Sequence, residues 1–395
     1  MEFIIITLIK LGVVMAVFMT TLAYLQWVER KVIAHIQLRM GPSRVGPHGL
    51  LQPLADVIKL ITKEGVVPPH VHKLFYLLAP FVAVTFALLA ISVIPFGDEV
   101  EIAGYRTWLQ LTDINVGILF ILAASSMGVY GIALAGWASN NKYSLLGGLR
   151  SSAQMISYEL PFTLAVASPL LLVNTLSLRE IVQAQEGFLF GFLPNWTIFQ
   201  GPFPQIVAFV VFLIAVFAET NRIPFDLPEA ETELVAGFHT EYSSMKFAAF
   251  FMAEYANMVT AASLVTILFL GGWHPPLPRE WGSDFIAPLI FLGAAAICFY
   301  HGLNPARRLD RYTLPAAGLV FAGIGGVFAF PAFKDALLPV FWFCAKTGLI
   351  LFLFIWVRGT LPRFRFDQLM GFAWKVLFPV AMANLLLTSL VVALT

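Results

Sequence analysis

The segment AETNRIPFDLPEAETELVAGFHTEYSSMK, residues 218–246, joins two apolar runs that are each long enough to cross a bilayer. Its charged side chains are mostly acidic: Glu219, Asp226, Glu229, Glu231, Glu233 and Glu241 against Arg222 and Lys246. Burying so many carboxylates beside a membrane is costly, and a linker that is merely solvated does not need them. The segment, named here the acidic linker, therefore indicates a place where carboxylates handle protons or cations.

Apolar runs of similar length recur along the whole chain, which has 395 residues and is 59% hydrophobic and 12% charged. This composition is far from that of water-soluble domains. The predicted spans are 3–28, 74–96, 115–138, 153–174, 203–221, 246–270, 285–302, 314–333, 337–357 and 371–394. The continuous runs do not resemble the alternating strands of a membrane barrel. The sequence thus predicts an all-α fold, a polytopic transmembrane helical bundle of about ten spans that forms one domain over 1–395.

Several classes of function find no support in the sequence. The net charge of +1 gives no indication of nucleic acid as a partner. The two cysteines, Cys298 and Cys344, both lie in predicted spans, and no CxxC pair, zinc spacing or glycine-rich nucleotide loop accompanies them. We therefore expect that this chain binds no metal and no cofactor of its own.

The basic residues predict the orientation of the bundle. With ten spans, 18 of the 24 lysines and arginines fall on one side, which is therefore the cytoplasmic side. Both termini then lie on the outer side, and the acidic linker lies on the cytoplasmic side. The first apolar run lacks the basic n-region and cleavage site of a signal peptide, so it is predicted to be a retained helix. We expect a multi-pass protein of the bacterial inner membrane.

The first cytoplasmic segment, 29–73, is long for a connector and contains two amphipathic stretches. In the first, Lys31, His35 and Arg39 share one helical stripe, and GPSRVGPHG at 41–49 then interrupts the helix. The second, LLQPLADVIKLITKEG, has an apolar face with Asp56 and Lys59 on another. Such a helix lies in the membrane interface or docks on a partner.

Three charged residues fall inside predicted spans, namely Glu159, Glu254 and Lys346. Each costs about 2.5–3.5 kcal/mol at a helix centre, so each is expected to face the bundle interior or a wet cavity. A structural ion pair between a carboxylate and Lys346 is one interpretation, and a chain of titratable groups is the other. In the acidic linker, Arg222 is the natural counter-ion of Glu219, and Asp226 is placed to cap a short helix.

Arginines return after the ninth predicted span, at Arg358, Arg363 and Arg365. They are explained most simply by the excess of basic residues on the cytoplasmic side of membrane proteins. Docking of an acidic cytoplasmic partner is the alternative.

Four blocks of the chain closely resemble a known family. They are ERKVIAHIQLRMGPSRVGPHGLLQPLADVIKLITKE at 29–64, GWASNNKYSLLGGLRSSAQMISYELP at 136–161, the acidic linker with its continuation to 258, and WVRGTLPRFRFDQLM at 356–370. They are similar to the H-subunit (mitochondrial subunit 1) family of respiratory complex I, the proton-pumping NADH–quinone oxidoreductase. In that family the protein joins the redox arm to the membrane arm and lines much of the quinone-access chamber.

The resemblance implies roles for particular residues. Those expected at the quinone chamber and redox-arm contact are Lys31, His35, Gln37, Arg39, Arg44, Asp56, Lys59, Arg222, Asp226, Glu229, Glu231 and Glu233. Those expected on the proton path are Glu159, Glu219, Glu254 and Lys346. Quinone is the implied substrate, with FMN and iron–sulfur clusters in partner subunits. The implied partners are the hydrophilic redox-arm subunits, the small membrane-arm subunits that lead to the antiporter-like subunits, and the lipid bilayer.

The chain departs from the family at about 285–333. The family core has eight spans, and this chain has two more, whose expected contacts are lipid or another subunit.

Two other functions remain alternatives: the homologous subunit of a membrane-bound hydrogenase or related dehydrogenase, and a stand-alone secondary transporter. A transporter predicts inverted repeats with broken helices, which the sequence does not display.

Overall fold

The computed structural model of the chain describes residues 2–102, 105–200, 205–228, 231–305, 309–328 and 330–394. Within these ranges almost all regular structure is helical. The helices are α1 (Glu2–Ile36), α2 (Gln52–Thr62), α3 (Lys73–Ile91), α4 (Gly117–Ala138), α5 (Lys142–Val173), α6 (Leu178–Gln183), α7 (Ile206–Glu219), α8 (Glu231–Leu234), α9 (Ser244–Phe269), α10 (Ser283–Leu303), α11 (Asp310–Val327), α12 (Pro331–Thr360), α13 (Phe366–Phe372) and α14 (Phe378–Leu394). A π-helical turn, Ala373–Leu377, connects α13 to α14.

Eight helices are long and apolar enough to cross a membrane, counted over the described residues. They contain α1, α3, α4, α5, α9, α10, α12 and the α13–α14 unit. This confirms the predicted all-α, polytopic membrane fold. The predicted spans 203–221 and 314–333 coincide with α7, a shorter apolar helix, and with α11, which is not among the eight. The total of ten crossings stays a prediction.

Several helices extend beyond the predicted spans. α1 continues to Ile36, and α5 begins at Lys142, eleven residues before the predicted span. The reason is physical: apolar run length reports the thickness of the hydrocarbon core, whereas a helix continues into water wherever its backbone hydrogen bonds and packing allow.

The loops after α3 and α6 contain two small antiparallel ribbons that the sequence did not predict. β1 (Glu99–Ile102) pairs with β2 (Tyr105–Trp108), and β3 (Phe188–Leu189) pairs with β4 (Leu193–Pro194). Both ribbons are short and lie outside the helical core.

The main hydrophobic core is built around α5 and α9, which pack against α3, α4, α7, α12 and α14. The acidic linker crosses over α5 at close range. A Cβ on Gly147 of α5 would lie 2.7 Å from the backbone nitrogen of Phe238, so only glycine allows the linker to approach α5 this closely. This contact fixes the linker against the centre of the bundle.

The predicted inserted helices are present as a hairpin of α10 and α11. The two helices pack mainly on each other. A separate apolar cluster of Ala287, Phe328, Leu338 and Trp342 joins them to α12. The hairpin therefore stands beside the main core and is not part of it.

Candidate functional site

The acidic linker begins with a well-formed end to α7. Asn221 adopts a left-handed conformation with φ 50°, the N–H of Asn221 donates to the carbonyl of Ala218, and that of Arg222 donates to Phe217. The amide of Gln154, buried in α5, donates to the carbonyls of Ala218 and Phe225 at 2.9 and 2.8 Å. One α5 side chain thus fixes both ends of the 218–225 turn.

A buried charge cluster lies next to this turn. The carboxylate of Glu29 from α1 accepts hydrogen bonds from Tyr255 of α9, at 2.7 Å, and from Arg358 of α12. Arg222 lies 3.5 Å from the same carboxylate, with its guanidinium 4.3 Å from the ring centroid of Tyr255. A buried ion pair is stable only when good geometry and further hydrogen bonds offset desolvation. The Glu29 carboxylate has two such hydrogen-bond donors, and the cluster joins α1, α9, α12 and the linker.

A second ion pair fixes the middle of the acidic linker. Arg363, in the loop after α12, donates to the buried Asp226 carboxylate at 2.9 Å, and the N–H of Phe364 donates to the carbonyl of Pro224. The sequence assigned Asp226 to a helix N-cap, but its carboxylate pairs with Arg363 and the described helix α8 begins at Glu231. The expected Glu219–Arg222 pair is likewise replaced, since Arg222 turns toward Glu29.

Two of the carboxylates predicted for the proton path face one small cavity of about 20 Å³, which has room for about one water molecule. Its polar lining consists of Glu219, Thr220, Asn221, Glu254 and Asn257. A cavity with several polar walls is suited to hold water. Glu219 and Asn221 line this cavity, and Arg222, the next residue in the chain, belongs to the buried charge cluster.

Glu159 of α5 belongs to the same region. Ser126 of α4 donates a hydrogen bond to its carboxylate, and Glu159 interacts electrostatically with Glu219. Three acids from three helices are therefore brought together near the C-terminal end of α7. Such proximity couples the protonation of the three carboxyl groups, because like charges oppose one another's ionisation.

Lys346 lies elsewhere. Its ammonium group donates to the backbone carbonyls of Leu270, Gly272 and His274, at 2.5, 3.0 and 2.6 Å, and lies 4.4 Å from the ring centroid of Trp196. Leu270 follows Glu254 by 16 residues of nearly continuous helix, about 24 Å at 1.5 Å per residue. The structure therefore places Lys346 at the opposite end of α9 from the acids.

The 29–64 segment presents a polar network and an exposed apolar face. Asp56 accepts from Arg30 at 2.9 Å and lies 3.5 Å from Lys59, while Arg39 donates to Gln37. The side chains of His35 and Arg44 are exposed. On α2 an apolar stripe is also exposed, formed by Leu54, Val57, Ile58 and Ile61. This confirms the predicted amphipathic helix.

The far part of the acidic linker is more exposed. Glu233 accepts from Arg150 at 2.7 Å, and Glu241 accepts from Asn141 at 2.7 Å. Tyr242, which stacks on Tyr76 at 4.3 Å, is buried; burial first and Tyr76 second raise the pKa of Tyr242 above its ordinary range. Of the other predicted residues, Glu229 lies outside the described residues, and Glu231 is described only as the first residue of α8.

Comparison with known proteins decides which family has this arrangement. The family model described as NADH dehydrogenase matches residues 9–389. The NADH-quinone oxidoreductase H-subunit 1 of Solibacter usitatus is 66% identical over 394 residues, covering 100% of this chain and 98% of the relative. H-subunit 2 of Koribacter versatilis is 51% identical, over 99% of this chain and 98% of the relative. H-subunit 1 of Geobacter sulfurreducens is 45% identical, over 98% of this chain and 94% of the relative. The chain belongs to the H-subunit family of NADH–quinone oxidoreductase.

Membership in the H-subunit family confirms the resemblance inferred from the four sequence blocks. It makes the chain a membrane subunit of that enzyme complex. The hydrogenase-type and transporter alternatives are not favoured, since the relatives carry the names of NADH–quinone oxidoreductase subunits along nearly the whole chain.

Sequence reasoning missed the partners of several polar residues of this H-subunit chain. It gave Glu29 no role, and it explained Arg358 and Arg363 by membrane topology or an acidic partner. In the structure both arginines pair with acids of the same chain. One signal was available: an acid directly after an apolar span, as Glu29 is, needs a cation or a wet site.

Proposed function

We propose that this membrane subunit of NADH–quinone oxidoreductase forms much of the chamber in which a quinone is reduced, and that it transmits the reduction to a proton path. The quinone enters from lipid, and its head group meets an electron donor held by the redox arm. FMN and iron–sulfur clusters belong to the partner subunits in this proposal. The chamber residues are those of the acidic linker, the 29–64 segment and the Glu29 cluster.

One relationship carries the proposal, namely the shared turn at 219–222. Glu219 at the end of α7 faces the acid-lined cavity, and Arg222, three residues later, belongs to the buried charge cluster. Quinone reduction brings two electrons and requires two protons. Transient negative charge near Arg222 would attract its guanidinium group. The electrostatic potential at the carboxylates of Glu219, Glu159 and Glu254 would then change. Such coupling between a local charge and a titratable group can act as a switch.

The surroundings proposed for the chain follow from the same features. We place it in a bacterial inner membrane with both termini outside, since most of its basic residues then face the cytoplasm. The linker, α2 and the 358–370 segment then lie on the cytoplasmic side, where the hydrophilic redox-arm subunits would dock. The small membrane-arm subunits would continue the proton path from Glu159.

The test is Arg222→Gln in the assembled complex. We expect quinone-reductase activity to fall about tenfold or more, because a lost charged interaction of about 1.5–3 kcal/mol corresponds to that factor. NADH oxidation by an artificial acceptor that bypasses quinone should be unchanged. Arg106→Gln is the matched control, since Arg106 of β2 is exposed and pairs with the exposed Glu101 of β1, outside the proposed docking segments. Normal quinone turnover and KM in assembled Arg222→Gln would overturn the proposal.

A further inference from the structure

The α10–α11 hairpin is internally stiff. At its closed end a Cβ on Gly302 of α10 would lie 2.7 Å from the ring of Pro315 on α11, so the two backbones approach as closely as glycine permits. Farther along, Gly318 of α11 faces the ring of Phe299. Small residues that let helices pack this tightly are the usual means of rigid helix association in membranes. The two helices are therefore packed together as one unit.

One end of the hairpin is anchored at the start of α12. Lys334 lies 2.8 Å from the carboxylate of Asp284 at the start of α10. Next to this ion pair, Phe291, Phe328 and Phe341 form mutual ring contacts with centroid distances of 5.8–6.1 Å. This end is held by both charge and apolar packing.

The opposite end touches the 41–49 loop, GPSRVGPHG. His48 places its Nε2 3.0 Å from the carboxylate of Asp310, the first residue of α11, and Asp310 is only 7% exposed. The loop itself is a tight turn in which the N–H groups of Gly49, Leu50 and Leu51 donate to carbonyls within the loop. The contact thus connects the hairpin to the segment that carries Arg44.

We propose that the α10–α11 hairpin is a strut that fixes the position of the 41–49 loop, with Asp310 as the positioning residue. α10 has 21 residues and is therefore about 31 Å long, close to the thickness of the hydrocarbon core of a bilayer. Through the hairpin, the 41–49 loop is connected to the start of α12, where Lys334 pairs with Asp284. The loop is also connected directly to α1, which precedes it, and to α2, which follows it. This assigns a role to the inserted helices, and its consequence for quinone rests on the proposed function above.

The experiment compares hydrogen exchange at the amides of residues 49–51 in the intact complex. Asp310→Asn and His48→Gln should each speed exchange about tenfold, because local opening becomes easier once the contact is weakened. His48 is partly exposed, so His48→Gln is the variant expected to fold normally. Asp335→Asn, an exposed Asp→Asn change on α12, is the matched control and should leave exchange unchanged. The quinone KM should rise about threefold in the first two variants only.

Unchanged exchange in both variants, or equal acceleration in all three, would overturn the strut. Faster exchange with an unchanged quinone KM would overturn the positioning role. Neither result bears on the quinone chamber itself, which is tested separately by Arg222→Gln, a residue outside the hairpin and the 41–49 loop.

Discussion

The hydroxyl of Tyr255 donates a 2.7 Å hydrogen bond to the carboxylate of Glu29, across 226 positions of sequence. This bond joins α9 to α1, and the same carboxylate binds Arg358 of α12. Three helices that are distant in sequence are therefore fixed at one buried anion. A buried carboxylate that serves several donors is costly to disturb, since each remaining cation stays in a low-dielectric site.

Tyr255→Phe removes that hydrogen bond and preserves the ring beneath Arg222. We expect a loss of about 1.5–3 kcal/mol in the stability of the assembled complex, the usual range for a hydrogen bond to a charged group. Thermal denaturation of the purified complex measures it. Tyr24→Phe is the matched control, because Tyr24 of α1 is exposed. Equal denaturation temperatures for the two variants would contradict the prediction.

Glu233→Gln should lower quinone-reductase activity more than it lowers assembly. The ion pair with Arg150 is half exposed, so its loss costs only about 0–1 kcal/mol and the complex should still form. A neutral side chain would nevertheless reduce the negative charge of the linker where the redox arm is proposed to dock. Activity normalised to assembled complex is the measurement, with Glu101→Gln on the opposite face as the control. Wild-type turnover in the assembled variant would refute the prediction.

The positions of the helices could be predicted from sequence to within a few residues, except where helices continue into water. The position of each span follows from where a local apolar run is long enough to cross a bilayer of fixed thickness. The sequence also indicates that charged residues inside spans face the interior, and the structure brings Glu219 and Glu254 to the wall of one cavity.

The partners of those charges could not be predicted. Which acid meets which arginine depends on how each helix is rotated and how deep it sits, and apolar run length reports neither. Hence the sequence pairs Arg222 with its neighbour Glu219 instead of Glu29, which is 193 positions away. For Lys346 the sequence predicts either a carboxylate partner or a proton path. The side chain instead binds backbone carbonyls at the end of α9, and a sequence cannot show such acceptors.

Glu159→Gln should impair proton translocation while quinone reduction continues more slowly. A glutamine keeps the contact with Ser126 but cannot exchange a proton, so a path through this position is interrupted. Proton-to-electron stoichiometry in liposomes containing the intact complex is the readout. Glu99→Gln, on the exposed β1 strand, controls for loss of an acid as such. An unchanged stoichiometry together with an unchanged rate would remove Glu159 from the path.

Lys346→Met separates a structural role from a role in proton transfer. The change leaves three buried carbonyls without the ammonium group that binds them, so the yield of assembled complex should fall, with a cost of about 1–3 kcal/mol per unsatisfied group. Lys375→Met, at an exposed position before α14, is the control. If stoichiometry in the complex that does assemble equals that of the wild type, the lysine acts by fixing α9 to α12. A lowered stoichiometry with normal assembly would instead place it on the proton path.

The burial of His274, in the loop after α9, allows a prediction of how the stability of the complex depends on pH. Burial is the main cause that lowers the pKa of His274 from its ordinary value of 6.5. The folded state therefore binds this proton less readily than the unfolded state does. The sign follows: the stabilising contribution is full above pH 6.5 and is lost as pH falls below that value toward the folded pKa. We expect the denaturation temperature of the complex to fall between about pH 7 and pH 5.5, and to fall less in His274→Gln. His301→Gln, at an exposed position near the end of α10, is the control and should behave as the wild type. A pH dependence in His274→Gln as steep as that of the wild type would show that protonation of this imidazole does not limit stability in acid.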